Sequence, residues 1–74
     1  MNPNDLLKKQ ILTLEEQEFL VNHKYNSVVW RMAGRLDLDD GLLMKLLNHE
    51  DKDVVAVAKE NLKNRLINEI KIWK

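Results

Sequence analysis

Nucleophilic, acid–base or metal chemistry in this 74-residue sequence would draw first on two histidines, one serine, one threonine and a few paired acids. Cysteine is absent, which removes thiolate nucleophiles, disulfides and thiolate zinc sites together. Ser27 and Thr13 stand where helices are expected to begin, and a hydroxyl there caps backbone N–H groups. The acids Asp39-Asp40 and Asp51/Asp53 lie at other expected helix starts, where capping and the helix dipole account for them. Gly34 and Gly41 occur singly among helix-forming residues, so there is no glycine-rich phosphate loop. These residues predict no catalytic centre, no cofactor and no metal, and a chain this short has little room to enclose a dry pocket.

His23 and His49 admit two readings. Each falls near an expected helix end, where a histidine interacts with the last carbonyls and the dipole. A metal site would need His23, His49 and Glu50 or Asp51, and the sequence supplies no full ligand set. The first is the expectation. Trp30 also has two roles open. It projects roughly 130° from the centre of its helix's apolar stripe. It either packs against Leu6 or Leu7 or, flanked by Arg31 and Arg35, anchors a partner.

These side chains are positioned by helices. Asn2-Pro3 opens a short helix ending near Ile11. Thr13 with Glu16 makes a capping-box pattern for a helix to about His23. Asn26 or Ser27 caps a third, from Val28 to about Leu36, and Asp39 a fourth, to about His49. Asp51 or Asp53 caps a fifth, with no breaker before Lys74. Apolar spacing agrees: Val28, Val29, Met32, Ala33 and Leu36 share one face. So do Leu42, Leu43, Leu46 and Leu47, and then Val55, Ala58, Leu62, Leu66 and Trp73, with Val54 and Ile70 at the margins. Loops this short force neighbouring helices to pack as hairpins. The expected fold is all-α: one domain over residues 1–74, with two helical hairpins and a leading cap helix, either a short α-solenoid or a compact bundle.

Composition narrows the class. Hydrophobic residues at 45% are too many for a disordered chain, and 32% charged fits amphipathic helices. Twelve basic and twelve acidic side chains cancel, which disfavours a dedicated nucleic-acid binder. No apolar run approaches the roughly 20 residues of a membrane span. Nothing at Met1 to Asp5 has the pattern of a signal peptide, so a cytoplasmic location is expected.

The sequence also matches itself at an offset of 26 residues. Leu20-Val21-Asn22-His23 aligns with Leu46-Leu47-Asn48-His49, Val28-Val29 with Val54-Val55, and Leu12 with Leu38. In the same register Thr13 aligns with Asp39 and Ser27 with Asp53. This divides the chain into imperfect units, residues 13–38 and 39–64. The stretch LLMKLLNHEDKDVVAVAKENL, Leu42 to Leu62, resembles one HEAT-type repeat and is similar to the shorter bacterial leucine-rich-variant repeat. It lacks a proline in the first helix and an arginine after Val54-Val55. The resemblance implies an α-solenoid whose second helices line the binding surface. By it, Trp30, Arg31, Arg35, Val57, Glu60, Asn61 and Asn64 would share a partner-binding face. If the last helix outruns the hairpins, Ile67, Ile70, Ile72 and Trp73 are also left for a partner or a second copy.

Three functions follow as expectations. The first is a non-enzymatic adaptor or inhibitor that occupies a surface on a larger protein. In general character the chain is similar to small accessory proteins of bacteria and bacteriophages. The second reads Glu15 to Leu36 as a DNA-binding helix-turn-helix, although Glu18 and Asn22 replace the small residue and glycine that motif prefers. The third is peripheral membrane association through the Trp-ended last helix. A homodimer is compatible with each.

Overall fold

The computed structural model describes residues 2–72, with side chains through Glu69. It is all-α, with five helices in the order α1 (Pro3–Leu7), α2 (Leu14–Val21), α3 (Asn26–Ala33), α4 (Asp40–Leu46) and α5 (Lys52–Ile72). Helices α2 and α3 pack together as one hairpin, and α4 and α5 as the next. The hairpins stack with α3 against α5 and α2 against α4, while α1 lies on α3. Helices α2 and α4 begin at residues 14 and 40, and α3 and α5 at 26 and 52, so both starts are spaced by 26.

Local chemistry explains most starts. Asn2 Oδ1 accepts from Asn4 N at 3.0 Å, ahead of a first-turn proline. The Thr13–Glu16 capping box is complete: Thr13 Oγ1 accepts from Glu16 N, and Glu16 accepts from Thr13 N. Asp39 caps α4 through Leu42 N, and Asp51 caps α5 through Asp53 N and Val54 N. The third start departs from expectation. Tyr25 is the N-cap of α3 and makes no side-chain bond, and Asn26 and Ser27 are already helical.

The core is aliphatic throughout. Leu20, Val29, Met32, Leu43, Leu46 and Val54 are its largest fully buried side chains, and no tryptophan, tyrosine or phenylalanine is among the buried residues described. Register-equivalent pairs Leu12/Leu38, Leu20/Leu46, Val28/Val54 and Met32/Ala58 are buried together.

The helix ends come earlier than periodicity predicts, for a tertiary reason. α1 stops at Leu7, not Ile11, because the Arg35 guanidinium takes the carbonyls of Leu7, Lys9 and Gln10. Leu12 N then donates to Asp37 Oδ2 at 2.8 Å. α3 stops at Ala33, so Leu36 is 90% exposed instead of joining the stripe. The amide of Asn61 donates to the carbonyls of Ala33 and Arg35, and Arg65 to those of Arg35 and Leu36. The inward row of α5 is therefore Val54, Ala58, Asn61 and half-buried Arg65, displaced from the expected Val55–Ala58–Leu62–Leu66 stripe.

One buried amide and one ion pair hold the loops. Gln17 donates to the carbonyls of Leu12 and Asp37 and accepts from Asp39 N at 2.7 Å. Arg35 Nε meets Asp37 Oδ1 at 2.7 Å. The Arg35 hydrogen bond holds the Asp37 carboxyl below its ordinary pKa, opposed by partial burial and reinforced by Leu12 N–H. Glu16 is lowered too, first by its hydrogen bond from Lys9 and then by the Thr13 N–H.

Arg35→Ala should cost about 3 kcal/mol in urea unfolding, and Arg35→Lys should not restore it, because an ammonium lacks the planar fork. Asn61→Ala should cost about 1–3 kcal/mol, whereas exposed Asn64→Ala should stay within about 0.5. Asp37 has a lower pKa folded than unfolded, so its contribution is complete above the unfolded value of about 4 and is lost as pH falls through the folded one. The urea midpoint should hold from about pH 7 to 5 and drop below about pH 4. Asp37→Asn should lower the neutral-pH midpoint and flatten that acid drop.

Candidate functional site

The buried face of α3 determines where its tryptophan goes. Val28, Val29, Met32 and Ala33 turn inward, and the 100° step of the helix carries residue 30 to the outside. Trp30 is 48% exposed, which removes the core role open in the sequence. It walls a cleft of about 270 Å³ with Asn26, Ser27, Asp51 and Asp53. Asp51 is committed to capping α5, while Asp53 is exposed at the cleft. Ser27 is also a cleft residue here and not a cap. Further along the seam α3 and α5 come close: a Cβ on Gly34 would lie 3.3 Å from Val57 Cγ1.

The nine residues expected to bind a partner divide into three sets. Trp30, Arg31, Glu60 and Asn64 are exposed, with Val57 half-buried between the helices. Helical spacing puts Asp53, Val57, Glu60 and Asn64 on one stripe of α5, on the side that meets α3 at Gly34. Arg35 and Asn61 do not belong with them. Asn61 is 6% exposed, and both side chains are spent on the backbone carbonyls described above. Their polarity suggested a surface in the sequence, but buried carbonyls at helix ends need donors just as much. The side chain of Ile72 and all of Trp73 lie outside the described residues.

A second surface was only half legible. Leu47 at the end of α4 and Leu62, Leu66 and Ile67 of α5 enclose an almost wholly apolar groove of about 360 Å³, edged by Lys59 and Lys63. Leu66 is 52% and Ile67 39% exposed. Periodicity alone assigned Leu62 and Leu66 to the core. The rotation of α5 toward Asn61 and Arg65 leaves them at its edge. A sequence sign was available in the lysine pair one turn apart beside that apolar stripe.

The two histidines adopt one turn, and its polarity is the reverse of the expectation. His23 Nδ1 accepts from Tyr25 N at 3.2 Å and His49 Nδ1 from Asp51 N at 3.0 Å. The rings serve the N–H that follows each helix end, not its last carbonyls. The hydrogen bond occupies the Nδ1 lone pair of each ring. Both line a cleft of about 410 Å³ with Asn22, Lys45 and Glu50. Among the described residues no group of three or more His, Asp or Glu side chains is placed to hold a metal ion. No described helix is long and apolar enough to cross a membrane.

Comparison of the chain with protein families, with characterised proteins and with solved structures gives no match.

In a Trp73→Phe variant, the fluorescence of Trp30 should be quenched by acrylamide with the efficiency of a half-exposed indole. His23→Ala and His49→Ala should each lower stability by about 1 kcal/mol in chemical denaturation, by removing an acceptor from a turn N–H.

Proposed function

We propose that this protein is a non-enzymatic interaction module, a small adaptor or inhibitor that acts by occupying a surface on a larger protein. One observation carries the reading: the chain builds its core from aliphatic side chains and leaves Trp30 half exposed beside Arg31. Burying Trp30 inside would remove a large apolar area from water, at about 25 cal/mol per Å². A small domain that forgoes this has a reason to present the ring, and tryptophan and arginine are the residues most enriched at binding hot spots. The adjoining cleft gives the ring a concave neighbour, so a partner side chain could pack against it and be screened from water.

Two hairpins stacked first helix on first helix and second on second agree with a HEAT-like pair of units, in which α3 and α5 carry the binding face. That likeness rests on fold analogy. A bacterial or bacteriophage accessory protein acting in the cytoplasm fits this size and makeup. Duplex DNA is a poorer partner for the same surface, because Asp51 and Asp53 flank Trp30 where a recognition helix would meet phosphates.

The test is affinity capture from nuclease-treated native lysate, comparing the wild type with a Trp30→Ala, Arg31→Ala variant shown to be folded by circular dichroism. A stoichiometric protein should be captured by the wild type, with loss of about tenfold or more in the variant, as for removal of a hot-spot residue. Equal capture by both would remove Trp30 as the anchor. Capture of nothing but nucleic acid when nuclease is omitted would replace the reading with DNA binding.

A further inference from the structure

The groove between the end of α4 and the later turns of α5 carries an inference about a second surface. It shares with the adaptor reading only the premise that the partner is a protein. α5 has 21 residues, about 31 Å of helix. After Arg65 none of its described side chains is buried: Leu66, Ile67, Asn68 and Glu69 are all exposed. Leu47 and Leu62 are half-buried at the groove's base, and Leu66 and Ile67 stand open beside them.

Length, depth and charge limit what fits. From Lys59 to Ile67 the groove covers eight residue steps, about 12 Å, or slightly more than two helical turns. A helix with apolar residues at i, i+4 and i+7 spans nearly the same distance, about 10 Å. Lys59 and Lys63 lie one turn apart on the groove's edge, both exposed, and neither has an ion-pair partner among the described residues. Like charges at this spacing repel each other in the free protein. An incoming carboxylate relieves that repulsion.

We propose that the α4/α5 groove receives an amphipathic helix of a partner protein, with two or three apolar anchors and acidic residues along the edge that meets Lys59 and Lys63. A second copy fits less well. An antiparallel two-fold pairing of α5 helices sets the same flank of each against the other, and that flank carries the lysines. A flat lipid surface cannot follow the groove down to Leu47 and Leu62.

The experiment uses the full chain with 13C-labelled Leu and Ile methyl groups. It is titrated with two synthetic helical peptides of about 14 residues that share one leucine spacing, one flanked by Glu and the other by Lys. The expected result is saturable shifts at Leu47, Leu62, Leu66 and Ile67 with the Glu-flanked peptide, binding about tenfold or more tighter than the Lys-flanked one at low salt. In a Lys59→Glu, Lys63→Glu variant the preference should invert, with an unchanged methyl spectrum elsewhere showing that the fold is retained. No saturable shift with either peptide, or equal binding of both, overturns the proposal. So do shifts of the same methyls on dilution alone, which would seat a second copy there, or with phosphatidylserine vesicles but not peptides, which would seat a membrane. The Trp30→Ala, Arg31→Ala variant should bind the peptides normally, so the lysate capture above and this titration can fail independently.

Discussion

Satisfying backbone groups at helix ends governs this fold. Four of the five helices have eight residues or fewer, and every helix leaves about four N–H and four C=O groups without internal partners. In helices this short those groups are most of the backbone. Buried between hairpins, they would each cost on the order of 1–3 kcal/mol if left unpaired. Gln17, Arg35, Asp37, Asn61 and Arg65 meet that demand. Arg35 ties the end of α1 to the end of α3. Asn61 and Arg65 tie the end of α3 to α5, and Gln17 joins the approaches to α2 and α4. No buried side-chain nitrogen or oxygen among the described residues lacks a partner.

That network decides which surfaces remain open. Because Asn61 and Arg65 must face the end of α3, α5 is rotated so that Leu62 and Leu66 swing toward the gap beside α4. The apolar groove is thus a consequence of polar pairing on the neighbouring face of the same helix. Trp30 is outside for a related reason: four inward residues already fill the face of α3 that meets α5 and α2. Both candidate binding surfaces therefore depend on how the interior is satisfied, and a substitution in the network would move them without touching them.

Arg35 and Asn61 mark where reading residue types misleads about sites. An exposed and a buried asparagine look alike in a sequence, and Asn61 and Asn64 differ only by three positions on one helix. One caps the carbonyls of another helix and the other meets solvent. The histidines carry a similar lesson. Their equivalence across the offset was visible, and both do form the same turn. Whether the ring donates or accepts a hydrogen bond there depended on which backbone group the turn presented.

The sequence by itself determined the class of fold, the number of helices and four of their five starts. Caps and apolar period are local properties, written within a few residues of where they act. It also made the paired buried positions visible, since Leu12/Leu38 and Leu20/Leu46 repeat in register. Tertiary structure decided where α1 and α3 stop, which way α5 turns, and which of Trp30, Arg35, Asn61, Leu62 and Leu66 reach solvent. Those outcomes hang on hydrogen bonds between residues some 20 to 30 positions apart. Helical periodicity carries no information about such partners, so the same apolar stripe is compatible with several rotations. Only the pairing of distant carbonyls with Asn61 and the two arginines selects one.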